Sequence, residues 1–319
     1  MVGERQKAGE PETHRGVCPV TINAVSRSFD CSPSSDGLRY TSHPAGDKFG
    51  DVGGGTGEGL LLSDGFESGN MATTNSDGFA WGSLNRTSIV TMDGASNNVV
   101  YPNPLVVNDG KDWTAKTGSN SLRFRYPAGS NWTEQRFAIG AAYPEIWMAF
   151  WLRVPTNFYH SDAVEPSNNK LMSLWMDGYE GFGEGSTVWL GFYPNGSGGS
   201  DFYCIVSAGD YSGGGGAQGL TSFITVPDNL GDWMHLVVRV VCESAPDASD
   251  GTMEVWRKWD GGSYTKTHNR TGQPIKVATS TPGFANGYLL GYANSPYSST
   301  TEFLLDDFQL STTDQWSVP

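Results

Sequence analysis

The stretch Glu145-Ile146-Trp147-Met148-Ala149-Phe150-Trp151-Leu152-Arg153-Val154-Pro155 decides the fold. In an extended chain successive side chains alternate sides, so Ile146, Met148, Phe150, Leu152 and Val154 share one face. Trp147, Ala149, Trp151 and Arg153 share the other. Asn169-Lys170-Leu171-Met172-Ser173-Leu174-Trp175-Met176 repeats the pattern, with Met172, Leu174 and Met176 set against Leu171, Ser173 and Trp175. Thr187–Tyr193 does so again, with Val188, Leu190 and Phe192 opposite Trp189 and Tyr193. Solvent alone would favour Thr, Lys or Ser on the second face. Indoles beside polar groups suggest instead a groove for a flat, hydroxylated ligand such as a sugar chain, whose C–H faces stack on aromatic rings. Trp147, Trp151, Trp175, Trp189 and Trp256, with Tyr193, are the candidate carbohydrate-binding residues. The competing reading is that these rings fill a second core, since strands favour aromatics for packing alone.

Outward from these strands the chain is punctuated by Gly, Asn, Asp and Ser. Short strand patterns occur at Leu60–Ser63, Ser88–Met92, Ser121–Tyr126, Glu134–Ile139, Asp201–Val206, Trp233–Cys242, Thr252–Trp259, Tyr288–Tyr292 and Glu302–Ser311. In Ser121–Tyr126, Leu122, Phe124 and Tyr126 share one face and Arg123 and Arg125 the other. No long run shows helical periodicity. With 319 residues, 42 of them glycine, and only 17% charged, the chain suits one all-β domain. The expected architecture is a two-sheet antiparallel jelly-roll sandwich with a concave groove. Residues 60–312 form that domain, 1–59 a flexible or loosely packed tail and linker, and 313–319 a C-terminal tail.

The formal net charge of −14 argues against nucleic acid, whose binding needs cations to neutralise phosphates. No apolar run is long enough to span a bilayer. Met1–Lys7 lacks the apolar core of a secretory signal. A polysaccharide is the expected partner and an extracellular or surface location the expected setting. The N-terminal tail could serve as an attachment segment for a further partner. Cys18 and Cys31 could close a short loop. Cys204 and Cys242 lie in apolar strand patterns and are expected to be buried thiols.

The ordered sequence of patterns carries a resemblance. Asp64-Gly65-Phe66-Glu67-Ser68-Gly69 opens it, and Ser121-Leu122-Arg123-Phe124, Trp147–Pro155 and Lys170–Trp175 follow. Asp232–Val240 and Asp250–Trp256 come next, and Leu304–Ser311 closes it. Over about residues 60 to 312 this resembles the concanavalin A-like lectin/glucanase superfamily, in particular its jelly-roll polysaccharide-lyase-like branch. The resemblance implies stacked antiparallel sheets with glycan bound across the concave face. The Glu-x-Asp-x-Glu strand of laminarinase-like hydrolases is absent, as are the Gln-x-His and Tyr-x-Lys-x-Gly-x-Tyr strands of the common jelly-roll alginate lyases.

β-Elimination on a uronic-acid polymer needs a cation to neutralise the carboxylate, a base to take the neighbouring proton and an acid for the leaving oxygen. Arg153, Arg239 and Lys170 are the candidate cations; His235, Tyr193 and Tyr203 are the candidate proton-transfer groups. Simple alternation places Lys170 with Met172 on the apolar face unless it opens its strand. The competing reading for Arg153 and Arg239 is ion pairing within the sheet, for instance with Glu243 or Glu254. A glycoside hydrolase would instead need a carboxyl pair, with Glu180, Glu184, Glu243 and Glu254 available. Asp64 and Glu67 near the first strand and Asp306 and Asp307 on the last could hold a structural Ca²⁺ if the ends of the domain pair. The alternative function is a non-catalytic structural or adhesive carbohydrate-binding module on a virion or cell surface.

Overall fold

The computed structural model describes residues 17–22, 25–30, 58–179, 183–208 and 218–319. The chain divides into two units, Met1–Phe49 and Gly50–Pro319. In the first, β1 (Val17–Ile22) and β2 (Val25–Asp30) form an antiparallel pair. A Gly- and Pro-rich tail did not suggest it, but the β-branched run Val20-Thr21-Ile22 and Val25 suits it. Cys31, the Gly-rich linker before Gly57, Glu180 and the Gly-rich run at 211–217 lie outside the described residues.

The second unit is all β among the described residues. Its strands are β3 (Leu60–Asp64), β4 (Ala80–Asn85), β5 (Thr87–Asp93), β6 (Ser96–Tyr101), β7 (Leu105–Val107), β8 (Asn120–Tyr126), β9 (Trp132–Tyr143), β10 (Glu145–Arg153), β11 (Asn169–Trp175) and β12 (Ser186–Pro194). They continue with β13 (Ser200–Ala208), β14 (Gln218–Ile224), β15 (Trp233–Val241), β16 (Gly251–Trp259), β17 (Thr265–Gln273), β18 (Phe284–Tyr292) and β19 (Thr301–Ser311). One sheet of ten strands runs β17-β16-β15-β10-β19-β8-β5-β6-β7, with β3 also pairing β19; a second of seven runs β14-β13-β12-β11-β18-β9-β4. Every pairing is antiparallel, the arrangement of a jelly-roll sandwich.

The predicted apolar faces meet between the sheets. Ile146, Met148, Phe150, Leu152 and Val154 of the first stretch are fully buried, in one core with Met172, Leu174, Leu190 and Phe192 from the other sheet. Each such side chain contributes about 2 kcal/mol by leaving water. β15 is covered on both sides, as its sequence implied: Leu236 and Val238 enter the core while Val237 packs on the outer face. The ends of the domain do pair, β3 against β19.

Two irregularities re-aim side chains. On β11, Lys170 pairs with Gly191 and Met172 with Leu190, so one extra residue, Leu171, is inserted. Leu171 and Met172 both enter the core. Lys170 is therefore turned to the outer face with Ser173 and Trp175, a correction to strict alternation. On β19, Ala149 faces Gln309 while Trp151 faces Asp306, which inserts a residue at Asp306-Asp307. Asp307 adopts φ 48°, the left-handed conformation that Asp tolerates better than most residues. This acidic pair bulges mid-strand instead of ending it.

Candidate functional site

The aromatic residues expected in one trough divide between the two outer faces of the sandwich, and most are covered. On the ten-stranded sheet, Trp147 and Trp256 stack with ring centroids 5.6 Å apart. Trp316 and Val318 pack over them, and the Trp256 indole donates to the carbonyl of Pro319. The expected C-terminal tail is thus a lid on this patch. Trp147 is 8% exposed and Trp256 2%. On the seven-stranded sheet Trp175 and Trp189 are 8% and 6% exposed, packed with Tyr288 and Tyr179. Strand alternation determines which sheet face a ring occupies; segments distant in sequence determine whether water reaches it. Of the five indoles only Trp151 is half-exposed.

The candidate catalytic residues are divided in the same way. His235, Arg239 and Arg153 lie on the ten-stranded face; Tyr193 and Tyr203 lie on the seven-stranded one. His235 is buried beside Trp151, with Nδ1 2.7 Å from the Tyr264 hydroxyl. Burial, helped by Lys258 and Lys116, pushes its pKa down to about 3, so it is neutral at pH 7. Arg239 is held by Glu145 and Glu254, each at 2.8 Å, and Lys266 also reaches Glu254 at 2.8 Å. Arg153 bonds the Asp112 carboxylate at 2.5 Å and two backbone carbonyls. Both arginines are spent on ion pairs, Arg239 within the sheet and Arg153 with an aspartate of the loop between β7 and β8. The Glu243 carboxylate closes its own loop through the amides of Asp247 and Ser249, and Glu184 bonds the Thr279 hydroxyl.

The four acidic residues at the domain ends accept hydrogen bonds from within the protein. Asp64 accepts from the Phe66 amide and the Trp81 indole, and Glu67 from the amides of Ser119 and Asn120. Asp306 accepts from the amides of Lys116, Thr117 and Asp307, and Asp307 from the Thr117 hydroxyl. Burial raises Asp306 to about 7 against the pull of these donors. Among the described residues no three His, Cys, Asp or Glu side chains gather as one cluster.

What the structure does assemble lies on the outer face of the seven-stranded sheet. Lys170 Nζ donates to the Tyr179 hydroxyl at 2.9 Å. The Trp189 indole donates to the same oxygen at 3.2 Å, and the Tyr288 hydroxyl stands 3.2 Å from it. Arg136 lies 5.5 Å from the Tyr179 ring and bonds Glu134 at 2.5 Å. Tyr203 packs against Tyr193 with the rings tilted and their centroids 4.8 Å apart, and its hydroxyl accepts from Asn168 at 2.8 Å. Gly191 makes room for that hydroxyl: a Cβ there would lie 2.5 Å from it. Further along the face Trp132 and Tyr292, paired across β9 and β18, are 44% and 41% exposed. Burial raises the Tyr179 pKa, and its bonds to Lys170, Tyr288 and Trp189 oppose the rise. A phenol with that balance keeps its proton at neutral pH while facing a cation.

Sequence reasoning missed Tyr179, Tyr288, Arg136, Trp132 and Tyr292. A signal existed for two of them, because Trp132, Glu134 and Arg136 occupy the polar phase of β9. Tyr179 sits in a Gly-rich loop where periodicity says nothing. Tyr288 precedes two leucines that both enter the core, Leu290 at φ 55°, which breaks the alternation.

No protein-family model matches the sequence, and no curated protein matches it. Among solved structures, the chain is similar to alginate lyase vAL-1 from Chlorella virus at 11% identity and a TM-score of 0.47, covering 76% of this chain and all of that one. It is similar to an alginate lyase in complex with an alginate tetrasaccharide at 12% identity and a TM-score of 0.44, covering 70% and 85%. The cellulose-induced protein Cip1 matches at 16% identity and a TM-score of 0.39, covering 79% and 97%.

Proposed function

We propose that the protein binds an acidic polysaccharide across the outer face of its seven-stranded sheet, and that this face can carry out β-elimination on a uronic-acid polymer. The observation that carries the reading is the Tyr179 hydroxyl, met by Lys170, Trp189 and Tyr288 within 3.2 Å. Lys170 is the group to meet a uronate carboxylate, with Arg136 beside it. Drawing charge out of the carboxylate acidifies the neighbouring C–H, the step elimination depends on. Tyr179 keeps its proton in the resting protein, so it is suited to protonate the leaving oxygen. Exposed Trp132 and Tyr292 offer ring faces for adjoining sugars.

A second reading, a non-catalytic carbohydrate-binding module, has its own support. Elimination also needs a base, and burial keeps Tyr179 in its neutral form. His235, the histidine expected to act as base, lies on the opposite sheet.

The deciding experiment incubates the protein with neutral and uronic polysaccharides and follows unsaturated ends, reducing ends and retention on affinity gels. Unsaturated ends formed from a uronic polymer, lost in Lys170→Ala and Tyr179→Phe, establish the lyase. Retention without new ends, lost in Lys170→Ala, establishes the binding module. Neither product nor retention on any polymer removes both readings.

A further inference from the structure

Arg123 and Arg125, placed by their strand pattern on one face of β8, have no part in the site above. They point away from the core on the outer face of the ten-stranded sheet, where a pocket of about 410 Å³ opens among β5, β6 and β8. Arg86, Arg123 and Arg125 all line it, with Ser88, Pro102 and Asn103. Arg123 is the most enclosed of the three, its side chain 12% exposed and laid over the Trp113 ring at 4.5 Å.

Glu302 is the carboxylate that Arg123, Arg125 and Lys111 share. Glu302 meets Lys111 at 2.9 Å and the Trp113 indole at 3.2 Å, but Arg123 and Arg125 only at 3.5 and 3.4 Å. Asp109 adds a distant contact to Lys111, 3.8 Å. Arg86, Lys111, Arg123 and Arg125 against Glu302 and Asp109 leave two positive charges uncompensated locally, in a chain whose formal net charge is −14. Guanidinium groups are planar forks that bind oxyanions through paired N–H donors; Arg123 gives its Nε to the Ser88 hydroxyl at 3.1 Å, while exposed Arg125 meets Glu302 only at 3.4 Å and keeps its fork open to an anion. Arg86 adopts φ 56°, an uncommon conformation for its type, and its guanidinium is held by the Ser130 hydroxyl and the Trp132 carbonyl. That conformation sets the third arginine at the pocket's rim.

We propose that this arginine pocket is an oxyanion-binding site, for a sulfate, phosphate or carboxylate group that is either free or carried on a polymer. It is separate from the Lys170–Tyr179 face, on the opposite sheet, and stands or falls independently of the function assigned there.

The test titrates sodium sulfate into the full chain at constant ionic strength, balanced with sodium chloride, and records Tm. Sulfate stabilises folded proteins in general by exclusion from their surface, so the readout is the difference between wild type and variants. Arg125 is half-exposed, so Arg125→Ala is expected to fold; Arg86→Ala provides a second variant. Wild type should gain several degrees more than either variant. Lys276→Ala, a half-exposed lysine outside both sites, should keep the wild-type response. A parallel arm measures binding of dextran sulfate against dextran. Binding of dextran sulfate weakened about tenfold or more in Arg125→Ala, with no differential response to free sulfate, assigns the site to polymer-borne anions; the reverse assigns it to free anions. Identical behaviour of wild type, Arg125→Ala and Arg86→Ala in both arms overturns the proposal.

Discussion

The two outer faces of the sandwich start from the same material and end differently. Each carries indoles, tyrosines and cations on the outward phase of its strands. On the ten-stranded face Trp147 and Trp256 are roofed by Trp316 and Val318, and Arg239 and Arg153 are matched to carboxylates. These groups have structural partners, and this part of the face works as a second, smaller core. On the seven-stranded face the roof is a single tyrosine, whose hydroxyl gathers a lysine, an indole and a second phenol. Its rings are hidden nearly as well, but its cations border open surface holding Trp132, Tyr292 and Arg136. The comparison teaches that an outward-pointing aromatic strand is not by itself a binding surface. The candidate binding surface is the one where the polar partners of the rings remain near solvent.

Mutations can break this contrast. Lys170→Ala should give the largest effect on function, lowering retention or turnover of a uronic polymer at least a hundredfold with little change in stability. Retention on gels and urea unfolding of the same sample check it. Trp256→Ala should do the opposite. Removing a buried, stacked ring costs about 3–5 kcal/mol, seen as a lower urea midpoint, while retention at a saturating temperature-matched condition stays unchanged. If Trp256→Ala abolishes retention in a protein that remains folded, the assignment of the two faces is reversed.

The histidines sharpen the contrast through pH. His235 and His160 are held at about 3 and about 4 by burial, below their unfolded value of 6.5. The unfolded chain therefore binds more protons than the folded one between those values. Their contribution is fully present above about pH 6.5 and is lost as pH falls toward 4 and then 3. Each histidine should add a slope of up to about 1.4 kcal/mol per pH unit over its window. Urea unfolding across pH 3.5–7 should show this slope, reduced in His235→Gln. An unchanged slope would mean that His235 is not buried as neutral imidazole.

Glu254→Gln should have a smaller effect, about 1 kcal/mol, because the pairs it makes with Arg239 and Lys266 are partly solvated. The smallest response should come from the thiols. Burial pushes Cys204 and Cys242 up to about 11 and about 12, so a thiol reagent at pH 8 should label neither until the protein is unfolded.

Much of this molecule was legible in its sequence. Period-two alternation in Glu145–Pro155 and Thr187–Tyr193 named the buried faces, because a strand's geometry fixes side from parity. Turn residues between short apolar runs gave the all-β class, and the apolar surroundings of Cys204 and Cys242 gave buried thiols. Parity could not say which sheet each strand would join. Trp151 and Trp175 share the same sequence phase but ended on opposite sides of the sandwich, because β10 and β11 pair into different sheets. It could not locate the inserted residue that turns Lys170 outward, since a bulge is set by the partners' register and by core volume. Nor could it foresee that residues 314–319 would close one aromatic patch while Tyr179 came to rest over the other. Those contacts join positions more than a hundred residues apart in the case of Tyr288, and about sixty apart in that of Trp256 and Pro319. Local sequence decided which residues face away from the core; only long-range packing decided which of them meet solvent and one another.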